Sequence, residues 1–152
     1  MAGARIEIDD RQVLAALRRL EDFARNPDLA LRDIGEALLG THRARFEDQE
    51  APDGTPWAAL DPKYQARKRR NAERILVLEG WLRDQLSYQV DGQRLELGTA
   101  RIYGATHQFG REEAGIPARP FLGLSEADQA EILEILREHL EAGLGGRGAL
   151  SP

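Results

Sequence analysis

The chain has 152 residues, which predicts one domain large enough to build a hydrophobic core. It carries 26 Asp and Glu against 21 Lys and Arg, a net charge of -5 that argues against a dedicated nucleic-acid binder needing a net basic face. It has no cysteine, which excludes disulfides, thiolate nucleophiles and Cys-ligated zinc.

Met1 to Asp10 has no apolar signal-peptide core, and no run approaches the ~18 consecutive apolar residues of a membrane span. A soluble chain made in the cytoplasm, with no membrane partner, is the expectation. Arg5-Ile6-Glu7-Ile8 alternates polar and apolar residues, as a short edge strand or a loosely docked arm would. Asp9 or Asp10 can cap a helix whose apolar stripe is Val13, Leu14, Leu17, Leu20 and Ala24. Asn26-Pro27 ends it, because proline disfavours helix at the residue before it.

Asp28 opens a second long helix, with Leu31, Ile34, Leu38, Thr41 or His42, and Arg45 or Phe46 along one face to about Glu47. His42 falls at the buried edge of that stripe, where a packed, hydrogen-bonded histidine is expected rather than a ligand. Asp53-Gly54-Thr55-Pro56 signals a turn, and Trp57 is expected partly exposed beyond it. Asp61-Pro62 starts a short helix bearing Lys63, Arg67, Lys68, Arg69 and Arg70, with Arg74 beyond. Lys63, Arg67 and Arg70 fall at helical intervals, as a solvated face or as a stripe for DNA or an acidic partner.

Ile75-Leu76-Val77-Leu78 is a short apolar run, buried as strand or helix. Gly80 to about Tyr88 reads as a helix with Trp81, Leu82 and Leu86 inward. Asp91-Gly92, between alternating segments Ser87 to Val90 and Arg94 to Leu97, is the strongest hairpin signal. Ile102 to Thr106 is expected as a third strand or a return segment. Ser125 and Asp128 form a capping-box pair ahead of a final helix with Ile132, Ile135, Leu136 and Leu140 on its apolar face. Residues 1–142 are expected as the domain and 143–152 as a flexible, Gly-rich tail.

No motif specifies chemistry. There is no phosphate loop, dinucleotide fingerprint or nucleophile elbow, and His42, His107 and His139 lack metal-ligand spacing. No cofactor and no enzymatic activity are expected. His107, before the Gly110 turn, is the best candidate for a functional histidine, yet no partner for it can be named. The dense run from Tyr103 to Leu124, with His107-Gln108-Phe109-Gly110 and Ile116-Pro117-Ala118-Arg119-Pro120-Phe121-Leu122, is either a structural corner or a binding loop.

Several of these stretches together resemble the tailed-phage virion morphogenesis, or tail-completion, family. They are Phe46…Gln49…Pro52-Asp53-Gly54-Thr55-Pro56-Trp57…Leu60…Tyr64…Arg67-Lys68, then Ile75 to Asp84, Gly98-Thr99, Tyr103 with His107 to Gly110, and Ile116 to Leu124. The order and approximate spacing match from about Leu14 to Leu140. Two departures are the short Arg111 to Gly115 segment and Trp81 at a commonly smaller position.

The resemblance implies an α+β fold: a small curved antiparallel sheet packed by long N-terminal helices and a C-terminal helix. It implies a structural assembly protein of a phage or prophage particle that completes the tail or joins head to tail. Its partners would be neck and tail proteins and copies of itself in a ring, with possible non-specific DNA contact in the channel. It would sit at the virion's neck or tail end, and in host cytoplasm during assembly. His107, Gln108, Phe109, Arg119, Pro120, Phe121 and Leu122 are then the expected interface, with Arg119 pairing with a carboxylate across it. Lys63, Arg67 and Arg70 are the expected contact to DNA or an acidic neighbour. A small nucleic-acid-binding module using Lys63 to Arg74 is the alternative, and a hydrolase using His107 a third.

Overall fold

A computed structural model describes residues 3–7, 9–77 and 80–144. Ile8, Leu78, Glu79 and most of the expected tail lie outside the described residues. The organising element is α2 (Asp28–Asp48), which buries Ala30, Ile34, Gly35, Leu38, His42, Arg45 and Phe46. The spacing of those residues is the helical stripe expected from the sequence, so one face of a single helix meets the whole core. α1 (Arg11–Arg25) precedes it and buries no residue. Asp9, rather than Asp10, reaches the first turn of α1, accepting from the Arg11 N–H at 3.1 Å.

The sheet is a two-stranded antiparallel hairpin, β1 (Leu86–Asp91) and β2 (Arg94–Thr99). Asp91 is the last residue of β1 and pairs with Arg94, so Gly92-Gln93 forms the turn, with Gly92 at φ 60°. Two-residue hairpin turns need that left-handed backbone, which glycine adopts without strain. Leu86, Tyr88 and Val90 pair with Thr99, Leu97 and Leu95 on the face turned toward α2, while Ser87, Gln89 and Arg94 face outward. Gln93 Nε2 ties the turn to the end of α1 through the Ala24 carbonyl, at 2.8 Å.

Two apolar clusters meet along α2. In one, Ile34 and Leu38 pack with Ile135 of α6 (Glu126–Leu144) and with Leu95 and Leu97 of the hairpin. In the other, Phe46 packs with Trp57, Val77, Leu82, Leu86 and Phe121. The Phe46 ring meets Trp57 edge-on at 5.4 Å and Phe121 at 5.8 Å. Trp57 is buried rather than partly exposed, because its Nε1 donates to the Pro120 carbonyl at 2.7 Å and needs no water.

Helices with a hairpin packed on them make this an α+β fold, as expected. Two local expectations are corrected, and two pairs of alternatives are narrowed. Residues 3–7 form no strand. The helix after Gly80 is only α4 (Trp81–Asp84), because the 2-period alternation from Leu86 recruits the chain into β1; Trp81 is left exposed. Ile75 to Val77 is irregular chain, with Val77 buried. The segment expected as a third strand or a return segment is α5 (Tyr103–Phe109), whose Gly104 packs against Thr99 where a Cβ would not fit.

Gly35 shows how closely α2 and the hairpin approach. A Cβ there would fall inside the Tyr88 ring, which is held by a 2.7 Å hydrogen bond to Glu36. Gly35→Ala is therefore expected to cost about 1–3 kcal/mol of overpacking despite alanine's better helix propensity. A urea midpoint at or above that of the parent chain would show that the ring swings away freely.

Candidate functional site

The segment from α5 to Leu122 is a strap whose backbone is fixed from several sides. Gln108 Oε1 accepts from the Phe121 and Leu122 amides at 3.0 and 2.9 Å, and its Nε2 donates to the Leu122 carbonyl at 3.0 Å. The Arg119 amide donates to the His107 carbonyl at 2.7 Å. Arg45 donates to the Phe121 carbonyl at 2.9 Å, and the Gly123 amide to His42 Nε2 at 3.3 Å. A Gly- and Pro-rich segment makes few ladder hydrogen bonds, so distant side chains satisfy its buried polar groups.

This arrangement bears on two of the expected interface residues. Phe121 is 0% exposed and presents nothing to a neighbour. The Arg119 guanidinium is engaged within its own chain, donating to the Ala58 and Ala59 carbonyls at 2.7 and 2.8 Å. Gln108, Pro120 and Leu122 are partly buried in the same strap. Phe109 differs: it is 78% exposed, beside Gly110 at φ 75°.

The sequence did not single out the group that anchors the strap. Arg45 and Asp128, both buried, pair at 2.6 Å. Asp128 also closes the capping box, accepting from the Ser125 amide at 3.0 Å while its own amide donates to Ser125 Oγ at 2.9 Å. Burial pushes the Asp128 carboxyl up, but hydrogen bonds from Ser125 and Thr41 and the Arg45 charge together hold it below the usual range. Burial pushes the Arg45 guanidinium down, against the pull of Asp128. An arginine on the apolar stripe of α2 was the available signal, since a buried cation needs a partner.

His42 is packed as expected, with Nδ1 2.7 Å from the Leu38 carbonyl. That places the proton on Nδ1 and leaves Nε2 to accept from Gly123. Burial, then the Arg45 charge, push its pKa down. Burial, then the Arg119 charge, do the same to His107. Both folded values lie below the ordinary value of about 6.5. Stability is therefore intact above about pH 6.5 and falls below it, because the unfolded chain takes up the protons first. The urea midpoint is expected to drop between pH 7 and 5, with a shallower drop in His42→Asn. An equal slope in that variant would remove His42 from the account.

α3 (Pro62–Arg67) is capped by Asp61, which accepts from the Lys63 and Tyr64 amides at 2.8 and 3.1 Å. The helix stops at Arg67, so Arg70 lies beyond it and the three-residue basic stripe is not formed. Lys68 Nζ donates to the Asn71 carbonyl at 2.8 Å and also to that of Arg74, and Arg74 pairs with Glu47 at 2.5 Å.

A groove of about 1030 Å³ runs between α3, α4, α5 and the loop at Ala114–Pro117. Lys63, Arg67, His107 and Arg119 line it, so the structure brings members of the two expected site groups together. Arg70, Gln108, Phe109, Pro120, Phe121 and Leu122 lie outside it. Trp81 and Tyr103 add aromatic surface to its wall. Arg101 stacks over the Trp81 ring at 5.2 Å, and Tyr103 meets His107 edge-on at 6.0 Å. His107 Nδ1 is buried without a hydrogen-bond partner among the described residues. Among these residues there is no cluster of three or more His, Asp or Glu placed to hold a metal, and no helix is long and apolar enough to cross a membrane.

The chain is similar to several phage and prophage proteins. Capsid assembly protein G of Escherichia phage Mu is 30% identical over 149 residues, spanning 91% of this chain and 95% of that protein. Mu-like prophage FluMu G protein 1 of Haemophilus influenzae is 35% identical over 119 residues, spanning 72% and 79%. Tail completion protein S of Escherichia phage P2 is 29% identical over 124 residues, spanning 72% and 81%. No solved structure matches the chain. The family description that matches residues 8–141 is "Phage virion morphogenesis", and the chain belongs to that family.

Proposed function

We propose that the chain is a structural subunit of a phage or prophage particle that completes the tail or joins head to tail, working as a homo-oligomeric ring at the neck. Family membership supports the assembly role, and the name of the phage P2 relative supports the tail. The observation that carries the subunit reading is α1. Its apolar stripe, Val13, Leu14 and Leu17, stays exposed although both core clusters close without it. An apolar helix face left in water marks a contact with another protein. Phe109 and Leu133 add exposed apolar side chains elsewhere. A ring subunit needs two different contacting faces, because rotational rings use heterologous contacts.

Light scattering over a concentration series, with negative-stain images, tests this. Closed rings of one size are expected, free or once mixed with tails lacking the subunit. A chain that stays monomeric under both conditions overturns the ring. The nucleic-acid reading has less support: Lys68 and Arg74 are engaged within the chain, Arg70 leaves the helix, and the net charge is -5.

A further inference from the structure

We propose that the groove between α3 and α5 receives the N-terminal arm of a second copy of this chain; the inference rests on the ring reading above. The groove's chemistry sets the requirement. Its floor includes Leu60, Val77, Trp81 and Ile116, and Lys63, Arg67 and Lys68 lie along its basic side. Among the described residues its one acidic lining residue, Asp61, has a side-chain oxygen engaged in capping α3. Among the described residues, Lys63 and Arg67 meet no carboxylate. An elongated segment with an apolar anchor beside several carboxylates fits such a groove.

The arm has that composition. Residues 3–7 form no helix or strand, and Ile6 is 86% exposed, so the arm covers nothing of its own chain. Glu7, Asp9 and Asp10 follow Ile6. Among the described residues the ion pairs there are local and solvent-exposed, Arg5 with Glu7 and Arg11 with Asp9, each at 2.6 Å. Exposed pairs of that kind contribute little and exchange readily for better partners. Laid in the groove, Ile6 meets its apolar lining and the arm's carboxylates meet Lys63 and Arg67. Arm on one side and groove on the other give a ring subunit its two unlike faces.

The absence of cysteine makes the test clean. Ile6→Cys and Lys63→Cys are made singly and together, and treated with a short bis-maleimide. Mixing the two single variants is expected to give a cross-linked dimer, and the double variant a ladder up to the ring size. A double variant linked only within one chain overturns the proposal, as does a ring that forms without cross-links. In either case the ring reading stands. No ring, free or on tails, overturns both.

Charge exchange gives an independent measure. Lys63→Glu with Arg67→Glu is expected to raise the half-assembly concentration about tenfold or more, since like charges across an interface are costly. Glu7→Lys with Asp9→Lys in the same chain should recover most of that loss. Absence of recovery in chains with unchanged circular dichroism counts against the arm. Salt-dependent binding of single-stranded DNA in the groove, without a cross-link, would assign it to nucleic acid instead.

Discussion

Asp128→Ala is expected to destabilise the folded chain by about 3–5 kcal/mol, the range for removing one partner of a buried ion pair. The alanine leaves the Arg45 guanidinium buried with one remaining partner, the Phe121 carbonyl at 2.9 Å. It also opens the capping box, because Asp128 accepts from the Ser125 amide at 3.0 Å. Arg45→Ala is expected to cost a similar amount for the converse reason. The double replacement Arg45→Met with Asp128→Leu should cost far less than the sum, because no charge is left stranded and only the cap is lost. Urea unfolding of the parent chain, Arg45→Met, Asp128→Leu and the double replacement measures this as a double-mutant cycle. Additive losses would show that the two side chains do not act as a pair. The pH dependence has a definite sign. The Asp128 carboxyl lies below its ordinary value in the folded chain, so its contribution is full above about pH 4 and is lost as the pH falls through the folded value.

The pair also shows where sequence reading stops. The apolar stripe of α2, the hairpin and the Ser125–Asp128 cap were legible because each is written within a few residues. Arg45 and Asp128 lie 83 positions apart, and the partners Arg45–Phe121 and Trp57–Pro120 lie 76 and 63 apart. Nothing in a local period encodes such contacts. The strap was therefore legible as an unusual segment but not as an internal one. Gly, Pro and aromatic residues serve a folded corner and an exposed interface equally well. The helical form of α5 was not legible for a related reason. Seven residues including Gly104 have little helix propensity of their own, and the close approach of Gly104 to Thr99 helps fix them. The groove depends on the folded positions of α3, α4 and α5, so in the sequence its residues stand as two unrelated groups, Lys63 with Arg67 and His107 with Arg119.

Phe121 and Phe109 are expected to separate folding from assembly. Phe121 is wholly buried against Phe46, so Phe121→Ala should cost about 3–5 kcal/mol through the cavity it leaves. Any loss of assembly in that variant follows from unfolding, and Phe121→Leu, which fills much of the space, should restore both together. Phe109 is 78% exposed and packs on little of its own chain. Phe109→Ser should therefore change stability by no more than about 0.5 kcal/mol. Its effect belongs to association. An aromatic anchor at an interface is worth about 2 kcal/mol or more, which raises the half-assembly concentration by about thirtyfold. Urea unfolding and light scattering on the same preparations give both quantities. Unchanged assembly in Phe109→Ser would remove that side chain from the contact and leave the α1 stripe and the arm to carry it. A large stability loss in Phe109→Ser would instead place the ring inside the fold, against its observed exposure.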